Sequence, residues 1–163
     1  MNLPRASDVC VWIEVIERSA SAQPRRLLGL LKGTTRVFVV TEHAGNQVVA
    51  YYAWCMAQVM AANATDRLRK GAGRYPQPVA LLARLGVDTD HEGRGLGVGL
   101  LQDVFARLFE LSADIGCRGL IVHEESPEAR EFYLHLVPEF EPSPTDDFHL
   151  LLLMKDIRRA LRS

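Results

Sequence analysis

The sequence predicts one mixed α/β domain, and three observations lead there. The chain has 163 residues, enough to bury a single core without metals or disulfides. Its apolar periodicities run helix, helix, strand, strand, strand, helix, strand, helix, strand, the alternation expected of helices packed on a sheet. No internal repeat and no linker-like stretch divides it, so residues 1–163 read as a single domain.

Asp8 can cap a first helix, because Val9, Trp12, Ile13 and Ile16 recur at three and four residues. Pro24 suits the first turn of a second helix carrying Leu27, Leu28, Leu30 and Leu31, closed by Gly33. Arg36–Glu42 and Val48–Met60 are rich in β-branched and aromatic residues and flank Ala44-Gly45-Asn46, which reads as a hairpin. Residues 61–78 lose periodicity and collect Asn, Gly, Pro and basic residues, the composition of a long connecting loop. Val79–Val87 is a third strand. From Gly95 to Ile115, Leu96, Leu100, Val104, Leu108 and Leu111 keep helical spacing, and Gly116 ends the helix. Gly119–His123 is a strand, Ser126-Pro127 opens another helix, Phe148–Met154 is a final strand, and the basic tail is helical or frayed.

Composition narrows the function. The hydrophobic fraction is 48%, the charged fraction 24% and the net charge −1, ordinary for a globular protein and without a global bias toward nucleic acid. No apolar run reaches the length of a membrane span, and Met1-Asn2-Leu3-Pro4-Arg5 lacks the pattern of a secretory signal. Cys10, Cys55 and Cys117 are odd in number and far apart, which predicts buried thiols in a reducing cytoplasm, with no disulfide framework and no metal. Local charge is uneven: Arg67, Arg69, Lys70 and Arg74 fall within eight residues.

The chemistry centres on Leu85-Gly86-Val87-Asp88 and His91-Glu92-Gly93-Arg94-Gly95-Leu96-Gly97-Val98-Gly99. A strand runs through alternate glycines straight into a long amphipathic helix. Glycines let main-chain N–H groups approach an anion unhindered, and a helix start adds unpaired donors with a partial positive charge. The turn therefore suits a pyrophosphate. A dinucleotide-binding turn would sit on the first strand with an acidic residue about 20 positions on, and a Walker turn would need Gly-Lys-Ser/Thr; neither is present. Glycines that merely pack a helix on a strand remain the plain alternative.

On these residues the chain resembles the GNAT superfamily of N-acetyltransferases, whose acetyl-CoA loop has the pattern Gln/Arg-x-x-Gly-x-Gly/Ala. Here it aligns as Glu92-Gly93-Arg94-Gly95-Leu96-Gly97, with a carboxylate where the family places an amide or a cation. The resemblance implies a central, mostly antiparallel mixed sheet flanked by helices, and acetyl-CoA as acetyl donor. It places the diphosphate on Glu92–Val98 and the pantetheine arm against the main chain of Leu85, Gly86 and Val87. Tyr133, in Ala129-Arg130-Glu131-Phe132-Tyr133, matches the family's Ala-x-x-Phe-Tyr helix, whose tyrosine approaches the CoA sulfur. A phenol of pKa near 10 is protonated at neutral pH and can donate to a departing thiolate. An α-amino acceptor with a pKa near 8 is partly neutral already, so positioning can replace a strong base; His91, His123 and His135 are further proton carriers to consider.

A narrower similarity is to the GNAT toxins of bacterial type II toxin–antitoxin modules, which acetylate the free amine of aminoacyl-tRNA and stop translation. Tyr51-Tyr52, Arg67-Leu68-Arg69-Lys70, Leu82–Asp88, His123, Ala129–Tyr133 and Glu141-Pro142-Ser143-Pro144 carry it, over about two thirds of the chain. The chain departs at Ala6-Ser7-Asp8-Val9, where the toxins have Phe-x-Cys/Ser-Gly, and at Leu134–Phe140, which replaces a short Phe-Gly-Phe connection. The similarity implies an aminoacyl-tRNA acceptor whose phosphates meet Arg67, Arg69, Lys70, Arg74 and Arg84. It also implies a ribbon-helix-helix antitoxin and a homodimer. Two other readings stand beside it: acetylation of a small-molecule or protein amine, and a non-catalytic CoA-binding or partner-binding module suggested by Glu92.

Overall fold

The computed structural model describes residues 11–14, 34–41 and 47–162. The helix expected from Asp8 falls on residues that are partly within this range, and there the backbone is extended. Val11–Glu14 is strand β1, paired antiparallel with β2, Arg36–Thr41, in the register Val11↔Thr41 to Glu14↔Phe38. A run as apolar and β-branched as Val-Trp-Ile is ambiguous between the two periodicities, and pairing with a neighbouring strand decides it. The helix expected over Pro24–Gly33 and the turn Ala44-Gly45-Asn46 lie outside the described residues.

The chain falls into two compact units. The described residues of the first lie within Met1–Cys55 and Ala83–Leu101, and those of the second within Met56–Leu82 and Gln102–Ser163. Two strands, β3 (Val48–Val59) and β4 (Gln77–Val87), run through both. In the first unit β1, β2, β3 and β4 follow one another across the sheet. Phe38 stacks on Tyr52 with ring centroids 4.9 Å apart, and Trp54 meets both rings edge-on. Phe38 and Tyr52 are buried, as are Val39, Val40, Val49 and Ala50 on the same two strands.

In the second unit the strand order is β4, β5 (Gly119–His123), β7 (His149–Leu153), β6 (Glu141–Pro142). Ala80–Leu82 pair in parallel with Leu120–Val122, and all five residues of β5 pair antiparallel with β7. At Gly119 β7 leaves no room for a side chain: a Cβ there would lie 2.4 Å from the Leu152 carbonyl oxygen. The sheet core is Val79, Leu82, Leu120, Val122, Leu150 and Leu152, each fully or almost fully buried.

The segment expected to be a loop, residues 61–78, is folded. After a 3-10 turn, Ala61–Asn63, it forms α1, Asp66–Arg69, capped by Thr65, whose Oγ1 accepts from Leu68 N at 3.3 Å. Leu68 is completely buried and packs with Val59, Ala64, Val79, Leu151 and Leu153. Arg118 donates to the carbonyls of Leu68 and Lys70, both at 3.0 Å, closing the end of the helix. Gly71 and Gly73, at φ 77° and 67°, turn the chain into β4, which starts at Gln77, two residues earlier than expected. Gln77 donates to the carbonyls of Ala72 and Tyr75, so its buried amide is satisfied.

The remaining helices are α2 (Leu96–Asp114), α3 (Pro127–Leu136) and α4 (Met154–Ala160). The tail is therefore helical, and β6 is an element that Pro138, Pro142 and Pro144 hid. Cys55 and Cys117 are free and half-buried, less buried than expected, with burial raising both thiol pKa values; Cys10 lies outside the described residues.

Candidate active site

The turn that ends β4 is built from main chain. Asp88 N donates to the Val49 carbonyl at 2.8 Å, tying the strand end to β3. Asp88 Oδ1 accepts from Asp90 N at 3.3 Å and opens the 3-10 turn Thr89–His91. Gly93 and Gly95 then take φ values of 72° and 80°, a left-handed backbone that costs other residues about 1–2 kcal/mol. Nothing lies within 4 Å of the position a Cβ would occupy at either glycine. Glu92, Gly93, Arg94 and Gly95 are exposed, and Leu96, Gly97 and Val98 are half-buried as α2 begins.

This arrangement fits a diphosphate. The first turn of α2 leaves unpaired N–H groups and carries no acidic residue. Arg94 is folded back on the turn, its Nη2 donating to the Asp90 carbonyl at 3.1 Å. Glu92 is exposed, where water screens its charge. Leu85, Gly86 and Val87 are half-buried at the end of β4, beyond the stretch Ala80–Leu82 that pairs with β5. Gly86 has a packing reason that the sequence did not reveal. A Cβ there would come within 2.9 Å of Tyr51 Cε1, so only glycine lets this ring cover the strand.

Tyr133 belongs to the second unit. Ser126 caps α3, its Oγ accepting from Ala129 N at 3.2 Å, with Pro127 in the first turn, as the sequence predicts. Tyr133 is buried, with its ring edge-on to Phe132 and Phe140 at centroid distances of 5.3 and 5.7 Å. Its hydroxyl has no hydrogen-bond partner among the described residues, which is unusual for a buried phenol. Burial, and then the charges of Glu124 and Glu125, push its pKa well above the ordinary value of 10. The group stays a proton donor across the physiological range.

Sequence reasoning missed Glu124. It follows β5 directly, its side chain is 4% exposed, and one oxygen pairs with Arg130. The other oxygen, Oε2, is buried without a partner among the described residues. Arg130 also reaches the Asp147 carbonyl at 3.3 Å. A charged residue immediately after an apolar strand and just before a helix cap was the available signal. His123 has a half-buried ring that meets His149 at 5.1 Å and Phe148 at 6.3 Å.

The basic residues separate. Arg67 reaches Glu141 at 2.9 Å and Asp156 at 2.6 Å, and the Asp156 side chain is fully buried. Arg67 is thus a tie between α1, β6 and α4, and these carboxylates raise its pKa. Arg69 is exposed but pairs with Asp66. Lys70 and Arg74 are exposed. Arg84, on β4 in the first unit, is half-buried and donates to the Ala83 carbonyl at 3.0 Å. The four cations expected as one cluster therefore include one structural tie, one local ion pair and two open side chains.

Among the described residues no group of His, Cys, Asp and Glu has the arrangement of a metal site, and no helix is long and apolar enough to cross a membrane. Comparison with known proteins agrees with the geometry. The chain is 43% identical over 137 residues to a tRNA-acetylating toxin of Mycobacterium tuberculosis (strain ATCC 25618 / H37Rv), covering 84% of this chain and 80% of that protein. Its fold matches a crystal structure of a tyrosine-to-phenylalanine mutant of KacT with a TM-score of 0.75, at 17% identity, over 93% of this chain and 98% of the other. It also matches AtaT complexed with acetyl-methionyl-tRNAfMet with a TM-score of 0.73, at 20% identity, over 92% and 98% of the two chains. The profile of the acetyltransferase (GNAT) family matches residues 12–136, and the chain belongs to that family.

Proposed function

We infer that this protein transfers the acetyl group of acetyl-CoA to the free α-amine of an aminoacyl-tRNA, and thereby acts as a toxin that blocks translation. The observation that carries the acceptor class is the 43% identity, across 84% of the chain, with a protein named for acetylating tRNA. The site chemistry supports it in two parts. Gly93, Gly95 and the first amides of α2 offer main-chain donors to the cofactor diphosphate, with Leu85, Gly86 and Val87 along the pantetheine arm. Tyr133, whose hydroxyl is held protonated and has no partner among the described residues, is the residue assigned to the sulfur that departs. Because its pKa is raised, Tyr133 stabilises the thiolate by hydrogen bonding more readily than by surrendering its proton.

Lys70, Arg74, Arg69 and Arg84 are the residues assigned to tRNA phosphates, and Arg67 is assigned to holding their segment in place. Residues 1–163 act as one catalytic domain in the cytoplasm, as a homodimer neutralised by a ribbon-helix-helix antitoxin. The test is transfer of labelled acetyl from acetyl-CoA to a full set of charged tRNAs, read by mass spectrometry of the aminoacyl end. Label on charged but not uncharged tRNA is the expected result; no label on any charged tRNA refutes the assignment.

One observation favours a second acceptor class, a small-molecule or protein amine. Arg67 and Arg69 already spend their charge on Glu141, Asp156 and Asp66, which thins the cationic surface. Acetylation that ignores charge reversal at Lys70 and Arg74 would select that reading.

A further inference from the structure

The second unit contains a cleft of about 440 Å³. Its floor is apolar, formed by Val59, Leu81, Ile121 and Leu151, and its rim includes Asp146 and His149. No Lys or Arg lines it, so it does not suit phosphate. An apolar floor beside a carboxylate–imidazole pair suits the opposite end of an aminoacyl-tRNA: an amino group carrying an uncharged side chain.

His149 Nδ1 lies 3.0 Å from Asp146 Oδ2. The carboxylate fixes the ring orientation, as an acid does behind a catalytic base. The main chain holds the pair as well. Phe148 N donates to Asp146 Oδ1 at 2.9 Å, His149 N to the Asp146 carbonyl at 3.2 Å, and Ser143 N to the His149 carbonyl at 2.9 Å. The second ring nitrogen, Nε2, makes no hydrogen bond among the described residues, and the side chain is 29% exposed. His149 faces His123 across the β5–β7 ladder, and Glu124 follows His123. The ring contact with His123 thus lies one residue from Glu124, the carboxylate whose charge acts on Tyr133.

We propose that His149, oriented by Asp146, accepts a proton from the ammonium form of the acceptor amine at this cleft. The inference rests on the acetyl-transfer reading above. The substrate ammonium gives one proton to Nε2; the freed lone pair forms the C–N bond as the C–S bond breaks. The second N–H proton passes to the departing thiolate, yielding CoA thiol, an amide and a protonated His149, which returns its proton to water. A free α-amine has a pKa near 8, so this assistance matters most below that pH.

The charged or titratable groups around the ring are Asp146 and Asp147 on the loop before β7, His123 at the end of β5, and Glu124 just after it. Arg130 from α3 bonds the Asp147 carbonyl. The other polar side chains of the cleft, from Gln58 to Thr145, do not titrate. The test is kcat/KM toward charged tRNA from pH 6.5 to 9, at saturating acetyl-CoA, for wild type, His149→Gln and Asp146→Asn. His149→Gln should lose about 30-fold at pH 6.5 and less than about 3-fold at pH 9, the size of modest general-base assistance. Its acetyl-CoA affinity and thermal midpoint should be unchanged. Asp146→Asn should follow the same curve with a smaller loss, and its profile decides if His149→Gln does not fold. Imidazole should restore His149→Gly at low pH. A loss equal at every pH, or no loss, overturns the proposal and leaves the acetyl-transfer reading standing. A wild type that labels no charged tRNA overturns both.

Discussion

The turn of the first unit and the side-chain chemistry of the second solve the problem of charge differently. From Asp88 to Gly97 the relevant groups are main-chain amides, set by two glycines of positive φ and the start of a 19-residue helix. That geometry depends on backbone torsions, with one main-chain tie from Asp88 to Val49 at its start. In the second unit charge is carried by side chains with partners far along the chain: Arg67 with Asp156, 89 residues on, and Arg118 with Leu68, 50 residues back. A main-chain site tolerates an odd side chain such as Glu92, whereas a side-chain network assigns each cation to binding or to structure, seldom both. The contrast predicts that substitutions in the two regions fail in different ways.

The largest separation is expected at Tyr133. Tyr133→Phe should lower turnover by about 10³-fold, the middle of the range of about 10²–10⁴ for loss of a positioned proton donor, while acetyl-CoA affinity by calorimetry is unchanged. A fall in affinity equal to the fall in turnover would place the phenol in ground-state binding and blur the division. The pH dependence of stability is a companion reading. A folded-state pKa raised above 10 favours the fold fully below pH 10, and that contribution is lost as pH rises from there. The thermal midpoint of wild type should therefore fall more steeply above pH 10 than that of Tyr133→Phe.

Next comes Arg67. Replacing it with Ala leaves the Asp156 carboxylate, with a fully buried side chain, beside Arg159 at 3.5 Å as its remaining ion pair. A fully buried pair broken on one side costs about 3–5 kcal/mol; because the Arg67 side chain is 36% exposed, about 2 kcal/mol is expected here. Urea unfolding should show that loss, and Arg67→Ala/Asp156→Asn should recover part of it. If Arg67→Ala instead weakened only tRNA binding, with the unfolding midpoint intact, the arginine would belong to the acceptor interface.

These effects trace what the sequence could and could not reveal. The turn, the Ser126 cap and the boundaries of β5 were legible because each depends on a few adjacent residues: glycine torsions, a hydroxyl at a helix start, a short apolar run. Residues 61–78 read as a loop because the reasons for their order lie elsewhere. Leu68 is buried by Val79 and Leu151, and Arg118 closes α1. The same holds for Glu124 and Asp156, which look like solvated acids until Arg130 and Arg67 come into place. β1 went astray because Val-Trp-Ile fits both periods, and nothing adjacent to Gly86 in the sequence reveals that the Tyr51 ring is what crowds a side chain there.

In the first unit, Gly95→Val tests whether the turn is a torsional device. Forcing a β-branched residue into φ 80° costs about 1–2 kcal/mol, and relief of that strain would swing the amides out of line. Acetyl-CoA affinity should fall about 20-fold, roughly 1.8 kcal/mol, with charged-tRNA binding unaltered. Glu92→Gln should move affinity by less, slightly upward, since it removes an exposed negative charge near phosphate. A Gly95→Val protein that binds acetyl-CoA normally would mean that the glycines serve packing alone.

A smaller effect than that of Gly95→Val is expected where the second unit faces solvent. Lys70 and Arg74 are exposed at the end of α1 and in the turn that follows. Each phosphate contact on single-stranded RNA lowers the salt slope of binding by about 0.7 and on a duplex by about 0.9. Lys70→Glu/Arg74→Glu should therefore raise the KM for charged tRNA about 10-fold at low salt, flatten its salt dependence by between one and two charges, and leave acetyl-CoA affinity and urea stability alone. The result discriminates because Arg67, three residues before Lys70, is expected to do the reverse: to cost stability with a tRNA affinity that follows only the folded fraction. Two cations on one short segment would then differ in role solely because a buried carboxylate claims one of them. Should both substitutions act on tRNA alone, the Asp156 pair would be incidental and the segment a uniform phosphate-binding surface.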